Sequence, residues 1–122
     1  MSAFQHLSAL PIVPIWTGVI ARRVEGRHVT FAVVELEPNS LVAEHQHPNE
    51  QVGVIVKGQL RFKVGAEVRD LREGDTYVIP GGVPHEAFAG PDGAVAIDVF
   101  SPVRGDWSRF TPEAPRPALK WP

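Results

Sequence analysis

Cysteine is absent from this sequence, which excludes disulfides, iron–sulfur clusters and thiol catalysis and leaves histidine and oxygen atoms as ligands for any metal. Long apolar runs are absent too, since no segment approaches the roughly 20 residues of a membrane-spanning helix. Residues 1–10 lack the charged segment and apolar core of a signal peptide. There is no basic stripe, because 12 basic and 14 acidic residues are mixed along the chain and the net charge is −2. These absences predict a cytoplasmic protein that contacts neither membranes nor nucleic acid.

Helical periodicity is also missing, and short β-branched segments separated by glycine and proline take its place. The length of 122 residues and the 43% hydrophobic content predict one domain over residues 1–122. The positions of the prolines divide it into an N-terminal arm at 1–15, a strand-rich core at about 29–100 and an irregular proline-rich tail at 101–122. Short strands at intervals of about 8–12 residues are typical of an all-β sandwich or barrel.

Nine strands are predicted from the apolar segments and the turn residues between them. Apolar and charged residues alternate over 60–64, which predicts a half-buried strand that pairs with 51–56 in a hairpin across Lys57-Gly58-Gln59. A turn at Gly90-Pro91-Asp92-Gly93 separates the last two strands. The predicted strands are 16–24, 29–37, 41–47, 51–56, 60–64, 68–71, 76–79, 86–89 and 94–100.

Three histidines form the first candidate site. His45 and His47 are two residues apart at the end of a predicted strand, so both side chains leave the same face. A rigid loop rich in proline and glycine precedes His85. Neutral imidazoles are good ligands for transition metals, so the three rings could hold one ion together. The alternative is a set of ordinary histidines that are exposed or hydrogen-bonded in the core.

Two neighbouring residues compete to be the fourth ligand of such an ion. Strand parity places Gln51 on the histidine face and turns Glu50 away from it. A carboxylate nevertheless binds a dication more strongly than an amide does, which favours Glu50. Because Pro48 interrupts the strand, parity alone leaves both assignments open.

A single charged residue interrupts the apolar segment 94–100. This residue is Asp98, and a buried carboxylate is costly unless it is paired or functional. One interpretation is a structural carboxylate that accepts hydrogen bonds from an arginine or from backbone N–H groups. The other is a general acid/base that faces a cavity, where burial would raise its pKa.

Glycine and proline positions in two stretches resemble the two-motif signature of the cupin superfamily. The first stretch runs from Asn39, where the family pattern begins with glycine, to Gly58 and contains the histidine pair. The second has the pattern Gly-x5-Pro-x-Gly-x2-His over residues 74–85, and the family's usual closing asparagine is replaced by Ala89. The resemblance covers about residues 39–89 and implies a double-stranded β-helix, a barrel of the jelly-roll type.

The resemblance also implies a ligand set. Cupins take two histidines and an acidic or amide ligand from the first motif and a third histidine from the second. The implied ligands of one divalent transition metal ion are His45, His47, Gln51 and His85. Nickel, zinc, manganese, iron and copper all accept such ligands, so the set does not select the metal.

Two shorter strings are similar to those of KdgF-type cupins, which open the ring of unsaturated monouronates from pectin or alginate to give linear keto-deoxyuronates. These strings are His-x-His-Pro-x-Glu-Gln at 45–51 and the segment 98–104. The similarity implies catalytic roles for Asp98 and Arg104 and substrate binding by Phe100 and Arg104. The residues by themselves allow simpler interpretations, with Phe100 packed in the core and Arg104 at the surface.

The implied function is a metal-dependent enzyme that linearises unsaturated monouronates, with a small anionic sugar-like substrate and a homodimeric assembly. One alternative is a metal-dependent dioxygenase that uses the same ligands with iron and oxygen. The other is a cupin that binds a sugar or metabolite without catalysis. Dependence of turnover on oxygen separates the first two, and ligand binding without turnover identifies the third.

Overall fold

Strands dominate the computed structural model, which describes residues 2–116 and 120–122. The fold class predicted from the sequence, all-β, is therefore confirmed. Neither helix of the described chain has the length and apolar character that crossing a membrane would require. The elements in chain order are a 3₁₀ helix at Leu7–Ala9, β1 Val13–Trp16, β2 Val19–Glu25, β3 Thr30–Leu36, β4 Leu41–His45, β5 Glu50–Val64, β6 Glu67–Arg72, β7 Thr76–Ile79, β8 His85–Ser101 and a 3₁₀ helix at Gly105–Arg109.

Two long antiparallel strands, β5 and β8, run side by side through the molecule. Their register extends from Glu50 opposite Ser101 to Val64 opposite His85. Strands β3, β2 and β1 continue the sheet from one half of β8, and β7 flanks the matching half of β5. Strand β4 pairs with the other half of β8, and β6 with the other half of β5. The strands form one 8-stranded sheet in which the two halves of each long strand have different outer partners, and this is consistent with the predicted jelly-roll barrel.

The predicted hairpin at Lys57-Gly58-Gln59 is wrong, because β5 continues through it. The register with β8 shifts on both sides of Gly58, and Gly58 and Gly93 have φ angles of 73° and 74°. A Cβ atom on Gly58 would overlap the carbonyl oxygen of Gly93, so the two backbones touch here. The predicted turn at 90–93 is likewise part of β8. These glycines mark a bend that both strands make together, which local turn signals do not distinguish from a chain reversal.

The first predicted strand, 16–24, also differs from the structure. Strand β1 ends at Trp16, a turn follows with Gly18 at a φ of 78°, and β2 begins at Val19. The N-terminal arm contributes β1, which among the described strands pairs with β2 alone and lies at the edge of the sheet. An edge position suits Pro14, since proline lacks the N–H that a central strand would need.

The end of the tail lies on the outer face of β2 and β3. Arg22 and Glu35 form an ion pair there at 3.0 Å, and their side chains are only 3% and 6% exposed. The backbone N–H groups of Lys120 and Trp121 donate to the Glu35 carboxylate, and Arg22 donates to the carbonyl of Trp121. These bonds hold the last residues of the tail against the sheet. Residues 117–119 of that tail lie outside the described residues.

Candidate metal centre

The three histidines predicted to bind a metal come together at one end of the barrel. His45 ends β4 and lies opposite His85, the first residue of β8, while His47 lies in the loop before β5. Each ring offers one nitrogen, and these nitrogens lie within 4.8 Å of one another. His47 and His85 are buried, whereas His45 is partly exposed.

Backbone carbonyl groups fix the tautomer of all three rings. In each ring Nδ1 lies within hydrogen-bonding distance of a carbonyl oxygen two residues away. Because a carbonyl oxygen can only accept, Nδ1 carries the proton and Nε2 presents a lone pair. This is the arrangement that orients metal-binding histidines. The acceptors are the carbonyl groups of Ala43, Asn49 and Val83, at 2.8, 3.1 and 2.8 Å.

The buried rings are held in the neutral form that a metal requires. Burial lowers the pKa of His47 to about 4, and the positive charge of Arg104 contributes in the same direction. Burial also lowers the pKa of His85. The Nε2 atom of His85 is buried and has no hydrogen-bond partner among the described residues. An unpartnered buried lone pair is costly, and a cation at this position would satisfy it.

Gln51 adds a fourth donor to the cluster. Its Nε2 donates to Asp98 Oδ1 at 3.1 Å, which turns Oε1 toward His47 Nε2 at 3.2 Å. Two acceptor atoms at this distance repel each other unless a cation or a proton lies near both. The chemistry of these donors therefore fits a metal ion held by three imidazoles and one amide oxygen. Glu50 is exposed, as strand parity predicts for it.

A pair of alanine variants tests the choice between the two candidate ligands. Gln51→Ala should weaken metal binding by about tenfold or more, since the loss of outer-shell partners alone often has that effect. Glu50→Ala, the matched control on the adjacent residue, should bind metal like the unmodified protein. Competition with a chelator followed by elemental analysis measures both. Loss of metal in Glu50→Ala with retention in Gln51→Ala would reverse the assignment.

Asp98, Phe100 and Arg104, which are predicted to act on a substrate, line one cavity. Its volume is about 270 Å³. Asp98 is 5% exposed, and burial raises its pKa to about 6, although hydrogen bonds from Tyr77 and Gln51 oppose the shift. Phe100 is 2% exposed and meets the His47 ring edge-on at 5.7 Å between centroids. Phe100 thus belongs to the core and to the cavity wall at once.

Arg104 is buried, so its simpler interpretation as a surface arginine is wrong. The guanidinium group lies between the rings of Phe100 and Trp107, at 4.7 and 4.6 Å from their centroids. Its Nε and one terminal nitrogen each donate to the Asp106 carboxylate at 2.9 Å, and these bonds lower the pKa of Asp106. The other three guanidinium N–H groups have no hydrogen-bond partner among the described residues, and two of them lie at the end of the fork, where a substrate carboxylate could bind.

Sequence reasoning missed several residues that line the cavity. The Trp16 and His45 ring centroids are 5.5 Å apart, whereas the sequence pattern predicts Trp16 only as the start of a strand. Tyr77 shares a strand face with buried Ile79, and this parity would have shown that it points inward. Asp106 follows Arg104 by two residues in a tail for which no regular pattern predicted contacts.

Comparison with known proteins agrees with this geometry. A family model described as a cupin domain matches residues 32–100. The pectin degradation protein KdgF of Dickeya dadantii is 28% identical over 75 residues, which cover 61% of this chain and 68% of that protein. The solved structure of KdgF from a Halomonas species is 28% identical, with a TM-score of 0.72, and the match covers 78% of this chain and 88% of that chain.

A second curated relative is named as an isomerase. H2HPP isomerase of Bacillus subtilis is 38% identical over 64 residues. The match covers 51% of this chain but only 27% of the isomerase, so the chain spans about a quarter of the length of that relative. The curated relatives thus include a pectin degradation protein and an isomerase.

Proposed function

The chain belongs to the cupin family, and we propose from this premise that it is a metal-dependent enzyme that linearises unsaturated monouronates. The matched residues 32–100 contain the three histidines, Gln51 and Asp98. The two KdgF relatives support the choice of substrate. A homodimer, which the family resemblance implies, and a cytoplasmic location, which the sequence composition predicts, belong to the same proposal.

One observation supports this function above the others. The Gln51 amide touches a histidine of the candidate metal centre through its oxygen and the Asp98 carboxylate through its nitrogen. A group that moves protons is therefore fixed beside the ligands that would hold the ion. The guanidinium of Arg104 lines the same cavity. An anionic substrate between these groups would have its carboxylate and its reacting atoms held by different side chains.

The reaction is an isomerisation, so no co-reactant is needed. In the cyclic substrate the hydroxyl at the anomeric carbon loses a proton, and the bond from that carbon to the ring oxygen breaks. The anomeric carbon becomes an aldehyde and the ring oxygen leaves as an enolate, which takes up a proton at the far alkene carbon and becomes a ketone, so the overall composition is unchanged. Asp98 holds and returns the proton, and burial brings its pKa to about 6, near the range where proton transfer in both directions is effective.

The other groups bind and polarise the substrate. Arg104 binds the substrate carboxylate through the free end of its guanidinium fork. The ion is one divalent transition metal, and His45, His47, Gln51 and His85 would hold it. Since these four ligands carry no charge, the bound ion would supply its full positive charge as a Lewis acid.

The test is a spectroscopic assay with 4,5-unsaturated monouronates. The ultraviolet absorbance of the enol ether should decay faster with the metal-loaded protein than in buffer, and equally fast without oxygen. Chelation should stop the decay, and added metal should restore it. A requirement for oxygen would identify a dioxygenase instead. Binding of the uronate without decay would identify a non-catalytic cupin.

A second candidate is the isomerisation of a carboxylate that carries an apolar ring. Much of the cavity lining is aliphatic or aromatic and buried, whereas a sugar ring needs polar partners for its hydroxyl groups. The relative named H2HPP isomerase supports isomerisation as the class of reaction, and the apolar cavity lining supports the ring. Turnover of ring-bearing carboxylates without turnover of uronates would favour it. The buried apolar lining residues include Val34, Leu36, Leu60, Phe62, Ala87 and Ala96.

A further inference from the structure

We propose that Tyr77 is a positioning residue for Asp98, because its hydroxyl fixes one carboxylate oxygen and leaves the other facing the cavity as the oxygen that moves protons. The inference rests on the proposed function, in which Asp98 is the acid/base. Tyr77 lies on β7 and lines the same cavity as Asp98. Its hydroxyl is 2.5 Å from Asp98 Oδ1.

Tyr77 and Asp98 come into contact because they lie in line with Gly53 on three neighbouring strands. On β5, Gly53 lies directly opposite Tyr77 of β7 on one side and directly opposite Asp98 of β8 on the other. Residues in line on neighbouring strands point to the same face of a sheet. Two side chains separated by a whole strand meet here only because the residue between them has no side chain.

The space above Gly53 is filled by the two groups that make the contact. A Cβ atom built on Gly53 would overlap both the Tyr77 hydroxyl and Asp98 Oδ1. Gly53 does not have a positive φ, so a turn does not explain its presence. Close approach of the two flanking side chains is the remaining reason for glycine at this position.

The hydrogen bonds distinguish the two oxygens of Asp98. Oδ1 accepts from the Tyr77 hydroxyl and from Gln51 Nε2, whereas Oδ2 has no hydrogen-bond partner among residues 2–116 and 120–122. The ring of Tyr77 packs against Phe62 at 4.8 Å between centroids, which holds the hydroxyl in place. Burial raises the pKa of Tyr77 well above its usual value, so the hydroxyl remains a donor. Oδ2 is thus the oxygen of Asp98 that is free to exchange protons with a substrate.

The contact can be tested without turnover, since Tyr77 is the sole tyrosine of the sequence. A protein labelled with ¹³C in its tyrosine ring gives one hydroxyl-bearing carbon signal. Asp98→Asn should shift this signal, and Gly53→Ala should shift it as well by separating the two groups. Asp106→Asn is the control, because this carboxylate lines the same cavity without touching Tyr77. An unchanged signal in Asp98→Asn would overturn the proposal.

Kinetics test whether Tyr77 acts through Asp98. Tyr77→Phe keeps the ring and its packing, and it should lower kcat about tenfold or more, the scale of a lost hydrogen bond to a charged group, with KM and metal content unchanged. In the Asp98→Asn background the same change should have little further effect, whereas a purely structural role would give additive losses. Normal kcat in Tyr77→Phe, or additive losses, would contradict the proposal. If the unmodified protein turns over no uronate, the proposed function fails, and the tyrosine signal still decides whether Tyr77 positions Asp98.

Discussion

Asp98→Asn is expected to lower the turnover of unsaturated monouronates by about 10²-fold or more, the usual scale for loss of a general acid/base. The amide has nearly the shape of the carboxylate but cannot take up and return a proton. Metal content should be unchanged, because the side-chain oxygen of an asparagine at this position can still accept the hydrogen bond from Gln51 Nε2. Steady-state kinetics together with elemental analysis of the same sample provide the measurement.

Asp92→Asn serves as the matched control for this variant. Asp92 lies on the same strand, β8, but is exposed and does not line the cavity. Its substitution should leave kcat and KM unchanged. Turnover in Asp98→Asn equal to that of the control would show that Asp98 is a structural carboxylate, the simpler of its two interpretations.

Glu35→Ala is expected to destabilise the fold by about 3–5 kcal/mol, the cost of leaving a buried charge without its partner. Arg22 would then be buried without a carboxylate. The hydrogen bonds from Lys120 and Trp121 to Glu35 would be lost too, so the end of the chain should detach from the sheet. Urea unfolding followed by tryptophan fluorescence measures the free energy of unfolding.

Two further variants test whether the loss of stability comes from the burial of the ion pair or from the loss of an ion pair as such. Asp70→Ala removes an ion pair with Arg61 that is more than half exposed, and it should change the stability by less than about 1 kcal/mol. The double variant Arg22→Met/Glu35→Leu removes both buried charges and should recover most of the lost stability. Equal losses in Glu35→Ala and Asp70→Ala would show that burial does not determine the cost.

The positions of the histidines were predictable because their signals are local. The spacing of His45 and His47 and the loop before His85 can be recognised within a few residues, and the glycine pattern links the two stretches. Asn39 illustrates the same point, since it occupies the family's glycine position and has a φ of 60° in the structure. Asparagine tolerates this left-handed conformation better than most residues do.

The strand pairing and the second half of the site depend on contacts that no local pattern encodes. Gly58 gives the same turn signal whether the chain reverses or two strands bend together, and only the partner strand decides between them. The burial of Arg104 depends on Trp107, which the tail brings over the guanidinium group. Tyr77 meets Asp98 across a strand whose identity the sequence does not reveal. Side-chain parity on the strand predicts that Tyr77 points inward, but it does not predict that Asp98 is its hydrogen-bond partner.

The pairing of β5 with β8 also determines when the site can form during folding. The chain between Val64 and His85 is much shorter than the chain between Glu50 and Ser101, so the first pair loses less entropy on closure. Pairing should begin at that end and proceed toward Glu50, on the millisecond-to-second timescale of folds with many long-range contacts. Gln51 lies near the end that closes last. A complete ligand set therefore exists only after folding is almost finished, so a metal ion should retard unfolding much more than it accelerates folding.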